Sequence, residues 1–358
     1  MPRAREAGIP LDGTPGEWNA ITDVPGVEVG YVTLAGGDVQ TGVTAILPRG
    51  RDGVGVPCAA GTFSFNGNGE MTGTAWIAES GGFASPVALT NTHALGQVHR
   101  GVVEWTLARS PGLAAQWVLP VVSETWDGYL NDINGDHVTP AHAIEALDAA
   151  APGPVAEGAV GGGTGMCCYD YKGGSGTSSR RVPYAGSVYS VGAFVQANFG
   201  DRRELVVAGR PVGRELLDDN PLASLDWLAP PGAGSVVVIV ATDAPLLPGQ
   251  CTALARRAML GVGRTGTTGS HFSGDLVLTF STANPGALTS AFPLTEATGD
   301  DYETLRFVPW GRVDAFHEAV VQAVEEAVLN ALCAGRDTVG RDGHRVPGMP
   351  VDRVRRLL

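Results

Sequence analysis

A serine that could act as a nucleophile, Ser235, stands at the first position of an uninterrupted apolar run. The run covers residues 236–241, and a turn rich in proline and glycine precedes it at 230–234. Apolar runs bounded by turn residues are typical of strands buried on both faces. The hydroxyl is therefore predicted at the mouth of a central strand, after a glycine that can adopt backbone angles closed to other residues. Because glycine and serine are also ordinary turn residues, a plain loop end is the alternative.

The conventional partners of a catalytic serine are not evident in the sequence. There is no G-x-S-x-G motif, which argues against an α/β-hydrolase. His317-Glu318 begins an H-E-x-x-H pattern, but Val321 stands where the last zinc ligand would be. The seven histidines show no metal-ligand spacing, and the glycine run at 161–165 lacks the Lys-Ser/Thr of a phosphate-binding loop. We therefore expect neither a metal nor a nucleotide cofactor.

Composition and charge exclude several classes of protein. The formal net charge of −13 argues against nucleic-acid and anionic-membrane partners, because both select for basic surface. The chain is 44% hydrophobic and 17% charged, which predicts a sizeable core. No stretch resembles a secretory signal or reaches the roughly eighteen apolar residues of a membrane helix. Five cysteines without CxxC spacing favour reduced thiols and a cytoplasmic location.

Eight stretches of the sequence resemble the P1-family (DmpA-like) aminopeptidases, the group of L-aminopeptidase/D-esterases and β-aminopeptidases. They occur in the family's order and span most of the chain: FNGNGEMTG (65–73), ALTNTHALG (88–96), ETWDGYLNDINGDHV (124–138), VGGGTGM (160–166), YKGGSGTSSR (171–180), VGAFVQANFG (191–200), GAGSVVVIVATDAPL (232–246) and SGDLVLTFSTAN (273–284). The resemblance implies an α/β fold, a four-layer αββα sandwich shared with ornithine acetyltransferases. It also implies one domain over residues 1–358 and a homo-oligomer of four or more subunits.

The resemblance implies that the chain cleaves itself between Gly234 and Ser235, giving chains 1–234 and 235–358. The Ser235 hydroxyl would attack the Gly234 carbonyl, and water would release the resulting ester. A serine made N-terminal in this way needs no histidine, since its own α-amino group, with a pKa of about 7.7–8.0, can accept the hydroxyl proton.

Three further residues match family positions that support the nucleophile. Asn198 corresponds to the side-chain amide that stabilises the oxyanion, and Gly200 is a candidate backbone donor. Ser273 and Asp275 correspond to a second serine and an acidic residue, and strand geometry puts both side chains on one face. Some relatives carry glutamate where this chain has Asp275. From spacing alone, Asn198 and the Ser-Gly-Asp sequence are also compatible with turns.

Glu124 and Trp126 match the region that faces the amino end of the substrate. A carboxylate can pair with a free ammonium, and an aromatic ring beside it adds cation–π attraction. A core-filling role for Trp126 is the alternative. The predicted function is a self-processing serine aminopeptidase for short peptides, amides or esters with a free amine, including β-amino acid substrates. The alternatives are an acyltransferase like ornithine acetyltransferase, whose nucleophile is threonine, and a non-catalytic binding protein.

The elements that must position these residues follow from the hydrophobic pattern and the turn residues. Strands are predicted at 42–47, 86–91, 117–122 continuing to Glu124, 190–196, 204–209 and 276–281. Helices are predicted at 97–109, from Thr139-Pro140 onward, at 248–260 and at 313–333, and a turn at 66–70. Buried strands followed by helices indicate sheets covered by helices. The pattern by itself does not separate three layers from four.

Overall fold

A computed structural model describes residues 2–115, 117–224, 234–293, 295–299 and 301–358. Within these residues the strands are β1 (Glu28–Gly36), β2 (Val39–Leu47), β3 (Cys58–Gly67), β4 (Gly82–Phe83), β5 (Val87–Asn91), β6 (Val121–Thr125), β7 (Cys167–Cys168), β8 (Tyr171–Lys172), β9 (Gly174–Tyr184), β10 (Ser187–Asn198), β11 (Gly234–Thr242), β12 (Ser273–Ser281), β13 (Thr338–Val339) and β14 (Arg345–Val346). The helices are α1 (Thr74–Ser80), α2 (Leu95–Arg109), α3 (Pro140–Asp148), α4 (Pro248–Arg264), α5 (Asp314–Ala334) and α6 (Val351–Leu357).

Two sheets and two pairs of helices form the layers of the molecule. The larger sheet has six strands in the order β4-β3-β12-β11-β10-β9, and the smaller has four in the order β1-β2-β5-β6. Helices α4 and α5 pack on the larger sheet, whereas α2 and α3 pack on the smaller one. The sheets face each other through a shared apolar core. The predicted four-layer αββα sandwich is confirmed.

The central strand β11 shows why the apolar run carries no polar alternation. Val236 and Val238 belong to the core that the larger sheet shares with α4 and α5. Val237 and Ile239 belong to the core between the two sheets. Since successive side chains point to opposite faces of a strand, a strand covered on both sides must be apolar throughout. This environment accounts for the pattern seen in the sequence.

The predicted elements are mostly confirmed, and one strand is wrong. Residues 204–209 form no strand; Arg202–Glu204 is a 3₁₀ turn, and Val207 and Arg210 form a single bridge. The apolar pattern there reflects burial of Leu205 and Val207 in the core rather than sheet pairing.

Two other boundaries differ from the pattern-based ones. The strand predicted at 117–122 begins at Val121, since Trp117 and Leu119 are exposed. The turn predicted at 66–70 begins as strand, because Asn66 still pairs with β12. The turn predicted before Gly234 lies outside the described residues at 230–233.

The five cysteines are free thiols, as expected from their spacing. In the described part of the chain, no helix combines the length and the apolar character needed to cross a membrane.

Candidate active site

Ser235 lies at the start of β11, between two neighbouring strands of the larger sheet. Its register partner in β10 is Asn198, in antiparallel pairing, and its partner in β12 is Gly274, in parallel pairing. The residue is 3% exposed. Its side chain shares the face of Val237, which looks toward the smaller sheet. The hydroxyl oxygen accepts a hydrogen bond of 3.4 Å from the backbone N–H of Trp126.

Gly234 is required by close approach of the neighbouring chain. A Cβ atom on this residue would lie 2.0 Å from the carbonyl oxygen of Asn198 and 3.1 Å from Cα of Phe199. Its φ is not in the left-handed region, so the expectation of special backbone angles is wrong. The glycine is needed because a side chain would separate β10 from β11 next to Ser235.

Asn198 is held at both ends of its carboxamide. Its Oδ1 accepts from the backbone N–H of Cys167 at 2.8 Å, and its Nδ2 donates to the carbonyl of Trp126 at 2.8 Å. An amide nitrogen carries two hydrogens, so the second is available to another acceptor. Gly200 follows in the left-handed region, with φ of 87°, where the ring of Tyr169 leaves no room for a Cβ.

Ser273 and Asp275 form a buried pair in β12, as their spacing predicts. The Ser273 hydroxyl donates to Asp275 Oδ1 at 2.6 Å, and the amide of Asn66 donates to Oδ2 at 2.9 Å. Burial raises the pKa of Asp275 above its ordinary value, and the bonds from Ser273 and Asn66 oppose that rise. Asn66 was not predicted as part of the site. Its signal in the sequence was a turn motif, whereas its position opposite Asp275 comes from pairing between β3 and β12.

The Ser273–Asp275 pair faces the backbone of β11 rather than the Ser235 hydroxyl. The two residues flank Gly274, and their own register partners are Gly234 and Val236. Their side chains alternate with Gly274 and so share the helix-side face of the sheet, opposite that of Ser235. The backbone of Val236 lies close enough to Asp275 to lower the pKa of its carboxyl. The pair therefore lies beside the backbone of β11, with register partners on either side of Ser235.

Glu124 brings a buried carboxylate from the smaller sheet to the same place. Its Oε1 accepts from the backbone N–H of Glu70 at 2.8 Å, and its Oε2 accepts from the hydroxyl of Thr92. Burial raises its pKa. A Cβ on Gly69 would lie 3.2 Å from Glu124 Oε1 and 3.3 Å from Cα of Gly274. Gly69 therefore lies between the Glu124 carboxylate and Gly274, the register partner of Ser235.

Trp126 is 37% exposed, which contradicts the alternative that it fills the core.

Asp127, which follows Trp126, was not singled out in the sequence. This carboxyl is buried, accepts a bond of 3.0 Å from the Asn131 amide, and has a pKa raised to about 7 by burial. Among the described residues, no group of three or more His, Cys, Asp or Glu side chains could hold a metal ion.

Known proteins match the chain over its whole length. The model of peptidase family S58 matches residues 19–346. The chain belongs to this family. This S58 peptidase is 46% identical to the β-peptidyl aminopeptidase BapA of Sphingosinicella microcystinivorans, over 100% of its own length and 92% of that protein.

Two solved structures are similar to the S58 peptidase in fold and in sequence. The L-aminopeptidase D-Ala-esterase/amidase of Ochrobactrum anthropi, described as a variant of the Ntn hydrolase fold, superposes with a TM-score of 0.92 at 44% identity, covering 100% of this chain and 98% of that one. A β-aminopeptidase from Burkholderia sp. gives a TM-score of 0.86 at 45% identity, covering 99% and 98%. The resemblance found in the sequence motifs is confirmed, and with it the fold and the peptidase class. The roles of the individual residues stay predictions.

Proposed function

We propose that this S58 peptidase is a self-processing serine aminopeptidase in which Ser235 is the nucleophile of both maturation and hydrolysis. Its substrates are short peptides, amides or esters with a free amine, β-amino acid derivatives among them. The observation that carries the proposal is the position of Ser235, directly after Gly234 and opposite Asn198 at the mouth of β11. The aminopeptidase activity of proteins 44–46% identical over the full length of the chain supports the substrate class.

Maturation exchanges one bond at Gly234. The Ser235 hydroxyl oxygen adds to the Gly234 carbonyl carbon, and the C–N bond to Ser235 breaks as the nitrogen takes up a proton. The product is an ester between Gly234 and Ser235 Oγ, and water hydrolyses it to a carboxylate and a free hydroxyl. The new α-amino group, with a pKa of about 7.7–8.0, then serves as the base for the same hydroxyl.

Hydrolysis of a substrate repeats the acyl transfer at the same oxygen. Ser235 attacks the scissile carbonyl, the amine leaves, and water removes the acyl group from the ester. Each addition places negative charge on the carbonyl oxygen, and preorganised donors must meet it. The free N–H of the Asn198 carboxamide is the side-chain donor in this proposal, and Gly200 is the backbone candidate.

The Ser273–Asp275 pair orients the α-amino group. Its register partners, Gly234 and Val236, flank Ser235, whose backbone nitrogen becomes the free amine after cleavage. An ionised Asp275 would stabilise that amine as it takes the proton from the hydroxyl, through a charge-assisted hydrogen bond. Asp275 is shorter than the glutamate of some relatives, and Asn66 fixes the orientation of its carboxylate through the second oxygen.

Glu124 binds the amine of the substrate in this proposal. Its two oxygens each accept one donor from the protein, and an ionised carboxylate offers about four acceptor positions in all. The remaining positions can take a substrate ammonium, with Trp126 beside it as the exposed aromatic wall.

The cellular setting is part of the same proposal. We infer that the enzyme works in the cytoplasm as a homo-oligomer. The free cysteines support a reducing compartment. Exposed aromatic side chains at Trp117 and Phe292, whose ring centroids are 4.8 Å apart, offer apolar surface for subunit contacts.

A denaturing mass spectrum combined with one assay tests the function. The wild-type protein should give chains of 234 and 358 − 234 = 124 residues, apart from any loss of the initiator Met. It should hydrolyse the p-nitroanilides of β-alanine or L-alanine, whereas Ser235→Ala should stay whole and inactive. An uncleaved wild-type chain that hydrolyses these substrates would refute the N-terminal nucleophile. A cleaved chain that hydrolyses neither would refute the aminopeptidase.

A further inference from the structure

Lys172 is the one lysine of the chain, whose other 23 basic residues are all arginine. It is fully buried, although lysine is almost never fully buried unless it is paired. Its ammonium donates to three backbone carbonyls, those of Met166 at 2.6 Å, Gly173 at 3.0 Å and Gly163 at 3.3 Å. In the described part of the chain, no carboxylate lies within ion-pair distance of it. A compact ammonium has three donors that can point at three converging carbonyls. The planar guanidinium of arginine does not fit that arrangement.

The titratable groups around Lys172 do not supply a fully ionised negative charge to balance its ammonium. Burial lowers the pKa of Lys172 to about 8, and the nearby Cys167, Cys168 and Asp127 oppose that fall. Burial in turn raises the pKa of Cys167 to about 12 and that of Cys168 further, so both thiols are neutral. Asp127 has a pKa of about 7 for the same reason. The cost of this buried charge points to a use beyond filling space.

One peptide unit connects Lys172 to the active site. The carbonyl of Met166 and the N–H of Cys167 belong to the same planar peptide. Lys172 and the backbone N–H of Gly173 hold the carbonyl end, at 2.6 and 3.0 Å. The N–H end donates to Asn198 Oδ1 at 2.8 Å. Fixing the carbonyl therefore fixes the direction of the N–H, and with it the carboxamide of Asn198.

The hairpin that carries Lys172 is also fastened to the end of β10. Cys167 and Lys172 are register partners in the β7–β8 pair. The turn between them puts Tyr169 and Asp170 in the left-handed region, with φ of 51° and 54°, a conformation that costs energy for residues with a side chain. The backbone N–H of Tyr169 donates to the carbonyl of Phe199 at 2.8 Å, next to Asn198.

We propose that Lys172 is a positioning residue for catalysis, which holds the Met166–Cys167 peptide so that Asn198 presents its free N–H to the oxyanion. This role rests on the function proposed above for Asn198. The positive charge also polarises the peptide, which strengthens the bond from Cys167 to Asn198 Oδ1. The lysine touches neither the substrate nor Ser235 and acts through Asn198.

A double-mutant cycle between Lys172 and Asn198 tests the proposal. Lys172→Met should lower kcat about tenfold or more with KM within about twofold of wild type, because the oxyanion interaction is made in the transition state. In an Asn198→Ala background, the same substitution should lower kcat less than about twofold. Arg180→Met is the control for loss of a buried cation. Arg180, in β9, is also buried and donates to the backbone carbonyls of Ser179 and Gln322, and it pairs with Glu326 as well. This substitution should leave kcat per folded molecule unchanged.

The outcomes separate the two proposals. Equal losses of kcat from Lys172→Met in both backgrounds would overturn the role of Lys172 while leaving Asn198 as it is. An unchanged kcat in Asn198→Ala would overturn the oxyanion assignment itself, and the role of Lys172 with it.

A second measurement covers the case in which Lys172→Met does not fold. Lysine labelled with ¹³C at Cε gives one side-chain NMR signal in the wild-type protein, because the chain has one lysine. This signal should titrate near pH 8, and the side-chain ¹⁵N signal of Asn198, assigned by its loss in Asn198→Asp, should shift with the same midpoint. A lysine titration that leaves the Asn198 signal unmoved would overturn the proposal.

Discussion

Asn198 and Ser235 are register partners at the ends of two antiparallel strands, and the backbone of one residue connects their side chains. The N–H of Trp126 donates to Ser235 Oγ at 3.4 Å, and its carbonyl accepts from Asn198 Nδ2 at 2.8 Å. Trp126 directly follows β6, a strand of the smaller sheet. The candidate site therefore lies where the two sheets of the sandwich meet, with Ser235 on one and Glu124 on the other.

Gly234→Ala should slow self-cleavage by about tenfold or more. The new Cβ would lie 2.0 Å from the carbonyl oxygen of Asn198, and overpacking of a tight contact costs about 1–3 kcal/mol. The strands must separate at the register where Ser235 faces Asn198, which moves the hydroxyl away from the scissile carbonyl. The measurement is the fraction of cleaved chain over time, by denaturing mass spectrometry of freshly refolded protein.

A glycine without neighbours provides the control for that substitution. A Cβ on Gly263 in α4 would meet nothing within 4 Å, so Gly263→Ala should mature at the wild-type rate. Once cleaved, the Gly234→Ala enzyme should have a kcat near wild type, since residue 234 then ends the first chain. Maturation of Gly234→Ala at the wild-type rate would show that close packing does not select this glycine.

The sequence predicts those parts of the site that depend on neighbours along one strand. The apolar run places Ser235 at the mouth of a strand, and the family resemblance assigns it as the nucleophile. Ser273 and Asp275 also come from the resemblance, and the period of two only puts their side chains on one face. The Asn66–Asp275 bond was not predicted, since the pairing of β3 with β12 joins residues about two hundred positions apart. No local pattern reports such a contact.

Burial against the rest of the fold is the other property that local patterns miss. Nothing in the glycine-rich sequence around Lys172 indicates burial, yet three carbonyls converge on its ammonium. At 204–209, core burial of Leu205 and Val207 produced an apolar pattern without a strand. The four layers came from the family resemblance, because a strand covered by a sheet and one covered by helices are equally apolar.

Asn66→Ala should move the acid limb of the self-cleavage rate to higher pH, by about one to two units. Asn66 donates to Asp275 Oδ2 and so favours the carboxylate. A hydrogen bond to a charged group contributes about 1.5–3 kcal/mol, and one pKa unit corresponds to about 1.4 kcal/mol. Without it the already raised pKa of Asp275 rises further, and the carboxylate is lost at a higher pH on acidification. Self-cleavage is the suitable rate for two reasons. An ionised Asp275 would stabilise the Ser235 nitrogen as it takes up a proton on leaving Gly234, and the precursor has no α-amino group at Ser235 to titrate.

Asn68→Ala is the matched control for this shift. The Asn68 amide donates to the carbonyl of Phe272 and not to Asp275, so its removal should leave the acid limb in place. If Asn66→Ala and Asn68→Ala gave the same pH profile as the wild type, Asp275 would not be the group whose ionisation limits self-cleavage.

Asp127 should make the folded state less stable as pH rises from about 4 to 7. Its pKa is about 7 in the folded protein, against 3.8 ordinarily. Between these values the folded state binds more protons than the unfolded one, so the free energy of unfolding falls with increasing pH. A difference of about three units corresponds to about 4 kcal/mol. Asp127→Asn removes this titrating carboxyl. Its free energy of unfolding should therefore rise relative to that of the wild type by up to about 4 kcal/mol between pH 4 and pH 7.

Urea unfolding in a Ser235→Ala background measures this difference on one intact chain. Asp52→Asn, which changes an exposed carboxylate, should leave the pH dependence as it is. If the Asp127→Asn substitution changed the free energy of unfolding by the same amount at every pH from 4 to 7, the buried carboxyl would already be ionised at the lower pH.

Glu124→Gln should separate recognition of the amine from maturation. Cleavage at Gly234 involves no free amine, so the variant should still form two chains. Truncating one member of a buried charge pair costs about 2–5 kcal/mol, which is roughly a 30-fold to several-thousand-fold fall in kcat/KM on amine substrates. An N-acetylated substrate lacks the charge, so it should be poor for the wild type and should lose little more in the variant. The measurement is kcat/KM for one p-nitroanilide, free and N-acetylated, on both enzymes. Glu70→Gln is the matched control, because it keeps the backbone N–H that Glu70 donates to Glu124 and removes only a neighbouring charge that raises the pKa of Glu124. It should keep the preference for the free amine. Equal losses on the two substrates in Glu124→Gln would mean that the carboxylate supports the site generally, and amine recognition would then have to come from another group.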